Sequence, residues 1–499
     1  MIDTARTLLA LLTLAPLAGF AQSPQPATPR GSRDLDREGM SIQAPAPDRS
    51  IERALGQISP RQIEHTITTL VAFGTRNTLS SMASDLPRGQ GVSAAADWIA
   101  AELERYSAAC GGCLEVKRDT FTESPQNRIP VPTRITNVYA ILHGADAAQS
   151  ARRVLVTGHY DSRNSDTLDS HGAAPGANDD ASGVAVSLEC ARVLSQLRLP
   201  ATLVFAAVAG EEQGLNGSRH LARLARAQNW QLEAVLNNDI VGGNTTPGDE
   251  RQDKSAVRIF SEGIPAVATP EQLQLIESAG YESDSPSREL ARAVLEVSLS
   301  YQALALPHVT PAAQGFRPVL IFRRDRFLRG GDHSSFNQEG FPAVRFTEWR
   351  EDFDHQHQNV RREHGVQYGD LPQFVDFQYV ARVAALNAAA LASLAAAPPP
   401  PEQVRILTQD PDNGTTLTWR AGAGAPADTR YEILWRAAHA PLWERVAHTG
   451  ITSPPSAGPS GAAEYKARIE ISKDNVIFGV RAVDPAGHRS PAVVPFPQR

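Results

Sequence analysis

The segment Ala201–Val208 is an almost unbroken apolar run that stops at Gly210-Glu211-Glu212. A strand covered on both faces reads this way, and two abutting carboxylates at its end repel unless a cation lies nearby. The same punctuation recurs along the chain. Val154–Gly158 is a β-branched run closing at His159 and Asp161, and Ala234–Leu236 closes at Asn237-Asn238-Asp239. Helical patterns lie between, such as 183–197, with Val184, Leu188, Ala191 and Leu194 on one face, and 218–227. Strands alternating with helices, each strand ending in polar residues, predict an α/β fold. The expected form is a mixed-sheet α/β/α sandwich with its site along one sheet edge.

At 499 residues the chain is too long for one ordinary domain. Residues 1–21 carry Arg6, an apolar stretch from Leu8 to Leu17 and a small-residue end at Ala21, the pattern of a secretory signal peptide. Residues 22–54 are rich in Pro, Ser, Gln and Asp and read as a flexible leader. Residues 55–396 hold the α/β pattern, and 397–402 form a proline linker. From 403 to 499 only short strand patterns remain, separated by turns such as Asp412-Asn413-Gly414, which predicts an all-β sandwich. No later segment is expected to span a membrane. Secreted or periplasmic localisation is the expectation.

Basic and acidic residues number 48 and 55, for a net charge of −7, which argues against a nucleic-acid surface. Of the three cysteines, Cys110 and Cys113 are spaced to close a small disulfide in an oxidising compartment. A zinc half-site would need a second pair that the chain lacks. Cys190 lies on an apolar helix face and reads as a buried thiol.

Set side by side, the strand ends offer His159, Asp161, Asp179, Glu211, Glu212 and Asp239, and a later loop adds histidines. Each acid alone is commonly a loop residue or a helix cap; Asp179 stands just before the 183–197 helix. Their recurrence at successive strand ends is what points to metal. Five ligands, one of them a shared Asp, suffice for two zinc ions with positions left for water and substrate.

These motifs carry a resemblance. Gly158-His-Tyr-Asp-Ser, Pro175-Gly-Ala-Asn-Asp-Asp-Ala-Ser-Gly, Ala209-Gly-Glu-Glu-Gln-Gly-Leu-Asn-Gly-Ser, Asn238-Asp-Ile and Gly331-Asp-His-Ser-Ser-Phe resemble the co-catalytic di-zinc exopeptidases. That family includes bacterial leucyl aminopeptidase, glutamate carboxypeptidases and glutaminyl cyclase, and the resemblance spans about residues 55–396. It implies two Zn2+, with Asp179 bridging, His159 and Asp239 completing one site, and Glu212 and a late His the other. Glu211 would be the general base and acid, and Asp161 would orient His159. The late ligand is expected to be His355, because Asn359 stands four residues on where the family has an acid; His357 competes. His333 is not a ligand in this reading.

The implied activity is an aminopeptidase acting on peptides with a free N-terminus. A carboxypeptidase or dipeptidase relative would need a basic pocket, for which Arg163, Arg323, Arg324 and Arg326 are available. A glutaminyl cyclase would hold one zinc, and a non-catalytic binding protein would be free to lose Glu211. The C-terminal part resembles a fibronectin type III module, with Trp419 and Tyr431–Trp435 as its anchors. Contact with a cell surface or substrate protein is its expected role.

Overall fold

The computed structural model describes residues 37–312, 315–409, 412–447, 456–457 and 463–498. The expected signal peptide and the first part of the leader lie outside these. The rest of the leader is structured, which corrects its reading as flexible. A short strand, β1 (Met40–Ser41), is followed by helix α1 (Arg49–Leu55). Asp48 caps α1, its Oδ1 accepting from the amides of Ser50 and Ile51 at 2.6 and 3.1 Å, and Ile51, Ala54 and Leu55 are buried. A helix this short offers too few turns for periodicity to show.

Eight strands build the central sheet: β2 (Leu114–Glu123), β3 (Thr133–Leu142), β4 (Arg152–His159), β5 (Thr202–Val208), β6 (Gln231–Asn238), β7 (Ala256–Ser261), β8 (Arg317–Ile321) and β9 (Ala343–Glu348). Their order is β2-β3-β5-β4-β6-β9-β7-β8. The four inner strands β5, β4, β6 and β9 run parallel, and β3 and β7 join them antiparallel on either side. This is the mixed sheet predicted from sequence.

Alternation along each strand splits the core. Val154 and Val156 face one layer, formed by α2 (Pro60–Ala72), α3 (Gly91–Ala109), α4 (Ala181–Leu194) and two later helices, Pro286–Tyr301 and Phe377–Ala396. Leu155, Val204, Ala206 and Val235 face the other, under α5 (Asn216–Ala227). Full burial of each such side chain contributes about 1.5–3 kcal/mol. Beyond β6 come α6 (Pro270–Ala279), α7 (Pro286–Tyr301), α8 (His333–Gln338), a hairpin of β10 (Arg361–Glu363) and β11 (Val366–Tyr368), and α9 (Phe377–Ala396). Helix α9 is long and apolar enough to cross a membrane, yet 94% of its most apolar window is buried inside the protein.

Pro398–Pro401 are mostly buried, so the proline segment is packed rather than a free spacer. After it come β12 (Glu402–Leu407), β13 (Thr415–Arg420), β14 (Arg430–Ala437), β15 (Arg445–Val446), β16 (Ser456–Ala457), β17 (Ala463–Ile469), β18 (Val476–Val483) and β19 (Phe496–Gln498). They form two sheets, β16-β17-β13-β12-β19 and β1-β15-β14-β18, around one core of Trp419, Tyr431, Trp435 and Phe478. The sandwich rests on α7. Trp443 Nε1 donates to Glu289 Oε2 at 2.9 Å, Arg436 pairs with Asp284 at 2.5 Å, and Arg481 pairs with Glu296 at 2.5 Å. Cys110 and Cys113 form a disulfide, and Cys190 is a buried free thiol, both as expected.

Candidate metal centre

The carboxyl ends of β4, β5 and β6 converge because little separates β4 from α4. A Cβ on Gly158 would lie 2.4 Å from the Gly183 carbonyl carbon, and one on Gly183 would lie 2.2 Å from the Asn238 carbonyl oxygen. Two glycines therefore let helix, strand and neighbouring strand touch backbone to backbone. Asp180 fastens the contact. Its carboxylate accepts from the amides of His159 at 2.9 Å, Gly183 at 2.9 Å and Ile240 at 3.2 Å, tying all three elements together.

Asp179, one residue earlier, faces into the space so formed. Its Oδ1 lies 3.2 Å from His159 Nε2 and its Oδ2 lies 3.0 Å from His357 Nε2. Asp239 Oδ1 is 3.9 Å from His159 Nε2, and Glu212 Oε1 is 3.0 Å from His357 Nε2. Two ligand triads result, His159–Asp179–Asp239 and Asp179–Glu212–His357, each with its donor atoms within 4.8 Å of one another. Ligand atoms about 2 Å from a tetrahedral zinc stand roughly 3.3 Å apart, so both triads fit that ion. His159 Nε2 and Glu212 Oε1 are buried and make no hydrogen bond, as donors reserved for a cation would be.

The late histidine differs from the one expected. His355 turns away: its ring stacks on Phe374 at 3.7 Å, and its Nδ1 faces Thr246 Oγ1 at 3.5 Å and Asp352 at 3.8 Å. His357 reaches the acids instead, from a left-handed backbone with φ +59°. Asn359, whose place four residues after His355 suggested that histidine, accepts from the amide and hydroxyl of Ser165. His333 is no part of the triads and sits against the Arg324 carbonyl.

Asp161 is fully buried beneath the site. Its carbonyl oxygen lies 3.1 Å from His159 Nδ1 and its Oδ1 3.5 Å, while the carboxylate also accepts from the amides of Glu211 and Glu212 and from the Thr78 hydroxyl. It thus orients His159 and also fixes the turn that presents both glutamates. The Glu211 carboxylate belongs to neither triad. Burial pushes its carboxyl well above the usual carboxylate range, with Asp239, Glu212 and Asp332 adding to the effect against the pull of His159. Burial works against Asp179 too, but the imidazoles of His159 and His357 beside it hold it well below that range.

Residues 137–288 match the peptidase family M28. A probable zinc metalloprotease of Leptosphaeria maculans is 43% identical over 464 residues, covering 92% of this chain and 100% of its own. This chain belongs to peptidase family M28. A second M28-like relative, a probable zinc metalloprotease of Pyricularia oryzae, is 43% identical over 482 residues, covering 96% of this chain and 89% of its own. Among solved structures, an aminopeptidase, LapA of Legionella pneumophila, aligns at 18% identity and TM-score 0.47, covering 72% of this chain and 78% of its own. A glutaminyl cyclase of Macrostomum lignano aligns at 17% identity and TM-score 0.47, covering 71% and 95%. As a member of M28 the protein is a zinc metalloprotease, and peptides are its substrates.

Several residues of this M28 centre escaped the sequence reading. Asp370 accepts from the amides of Asn178 and Asp179 at 2.8 and 2.7 Å, holding the loop that presents Asp179. Arg76, fully buried, donates to the carbonyls of Leu70, Tyr160, Pro175 and Gly176. Arg163, expected only as part of a basic pocket, lies with its Nη2 2.7 Å from His357 Nδ1 and its Nε 3.2 Å from Glu212. Single charged residues in loops carry no periodic signal. Only the carbonyls and carboxylates that they meet reveal their part.

Proposed function

We propose that the protein is an exported aminopeptidase working through a carboxylate-bridged pair of zinc ions. The observation that carries the reading is the division of Asp179, one oxygen toward His159 and the other toward His357. In this reading His159, Asp179 and Asp239 hold one ion, and Asp179, Glu212 and His357 the other. Zinc held there would supply a lowered pKa for bound water and polarisation of the scissile carbonyl. Glu211, its carboxyl raised by burial among other acids, is suited to take a proton from the attacking water and return it to the leaving amine. Asp161 keeps Glu211 and His159 in register. The surplus of carboxylates around the site favours a substrate's free α-ammonium group. A basic pocket for a C-terminal carboxylate is less well supported, since Arg163 and Arg326 are engaged with Glu212 and Glu351. The Cys110–Cys113 disulfide and the apolar stretch Leu8–Leu17 support export. The sandwich, in this reading, is a fibronectin type III-like module that contacts a cell surface or substrate protein.

Hydrolysis of one peptide series with free, N-blocked and C-blocked ends tests the activity. Blocking the N-terminus alone is expected to stop cleavage. Cleavage of the N-blocked peptide, or loss on C-blocking, overturns the reading. Glu211→Gln should lower turnover by about 10²–10⁴-fold with zinc retained.

A further inference from the structure

Asp239 does not meet a cation position alone. Arg345, on the adjacent parallel strand β9, is fully buried, and its Nη2 pairs with Asp239 Oδ1 at 2.9 Å. The other arm of the same guanidinium reaches a loop. Nη1 donates to the Gly330 carbonyl at 3.0 Å and lies 3.4 Å from Asp325 Oδ2. Asp325 and Gly330 are the two ends of a tight loop, so Arg345 spans its base from outside while Arg326 bonds the same two residues from within. Gly331 makes this approach feasible, because a Cβ there would lie 2.5 Å from Arg345 Nη1.

The loop so closed is unusual. At its tip Phe327 is 73% exposed and Leu328 91% exposed, and Leu328 has φ +56°. A left-handed leucine displayed to solvent is held by its surroundings, not by its own preference. Arg326 and Arg329 each donate to Glu351 Oε2 at 2.9 Å, which pins the flanks of the tip to the segment that leads to His357. Four residues between the closed ends span at most about 14 Å even when extended, so the apolar tip stays within that distance of the base that Arg345 ties to Asp239.

We propose that Arg345 is a positioning residue with two tasks: it fixes the Asp239 carboxylate for its cation, and it staples the base of the 325–330 loop whose apolar tip forms the rim on that side. Arginine suits both tasks, since its planar fork bonds in two directions at once while lysine offers a point charge. One guanidinium thus links retention of one ion to order of the rim loop, whose ends Arg326 also bonds from within at Asp325 and Gly330.

The test compares Arg345→Met, Arg345→Lys and Asp325→Asn with the wild type in zinc-loaded, full-length protein. Zinc held against a competing chelator is measured beside the rate of tryptic cleavage after Arg326 and Arg329, with sites assigned by mass. Arg345→Met is expected to weaken one of two zinc ions by about 10–100-fold and to speed cleavage at the tip. Arg345→Lys should fall between it and the wild type in both readouts, and carries the comparison if the methionine variant fails to fold. Asp325→Asn should speed cleavage while holding both ions at wild-type affinity. Wild-type zinc affinity and wild-type protection of the tip in a folded Arg345 variant would overturn the proposal. It rests on Asp239 being a ligand, and that premise fails separately: Asp239→Asn would then hold both ions unchanged.

Discussion

His355 and His357 stand two residues apart and are put to different uses. Burial holds the His355 imidazole below its usual pKa, against the pull of Asp352 and Asp354, and its ring packs on Phe374. Burial also opposes charge on His357, but Glu212 and Asp179 push it up to about 10. A cation entering that triad displaces a proton, so its affinity should climb with pH throughout the range below that value. His357→Ala should lose one zinc per chain and His355→Ala should keep two, as metal analysis after dialysis would report. The reverse pattern would restore His355 as the ligand. The five other residues proposed as metal ligands or acid–base group were legible because each sits at a strand end or helix start, where apolar periodicity stops abruptly. The late histidine was not, because 349–358 has no periodicity and its direction is set by one left-handed residue.

At the scale of elements, the centre depends on how closely helix α4 approaches the ends of β4 and β6. Gly183→Ala would drive a methyl into the Asn238 carbonyl, and backbone on both sides gives little room to yield. A loss of about 1–3 kcal/mol is expected from thermal or denaturant unfolding, with weaker metal retention because Asp180 caps the same helix. An unchanged melting temperature would show that the elements can separate freely. The inner strands and α4, α5, α7 and α9 could be read from sequence because they are apolar on one or both faces over several turns or alternations. Strand β7, helix α6 and the β10–β11 hairpin could not. Helix α6 buries only Ile276, and the hairpin strands are mostly exposed, so solvent imposes no pattern on them.

For the whole molecule, the peptidase unit and the sandwich meet through charges that are buried where they touch. Asp284 and Glu289 of the peptidase unit are covered, and Arg436 and Trp443 come from the sandwich to meet them. The N-terminal segment is held in a similar way. His488 Nδ1 lies 2.7 Å from Asp484 and its Nε2 3.6 Å from Asp48, the cap of α1. Burial disfavours its charge, but Asp484 and Asp48 raise it above its usual 6.5. A raised histidine contributes stability that is fully present below its unfolded pKa and lost as pH rises through the folded one. The two aspartates are lowered, so their share is lost as pH falls through their own values. Amide exchange over residues 40–51 should therefore be slowest between those limits and quicken above the His488 pKa. His488→Gln should remove the upper limb; an unchanged pH profile in that variant would assign the protection elsewhere.

The pairing of Met40 with Val446 bears on the order in which the protein is assembled. Synthesis makes the first strand of the C-terminal sandwich before any of the peptidase unit, and supplies its neighbour roughly 400 residues later. Ser41 and Arg445 meet across a separation of 404 residues. Closing so long a loop is entropically unfavourable, and the peptidase unit, once folded, shortens the distance to be closed. The sandwich thus reaches its full four-stranded sheet last, after both chain ends are available. A fusion at the N-terminal side that displaced residues 40–41 would leave the β15 edge open to pair with another chain.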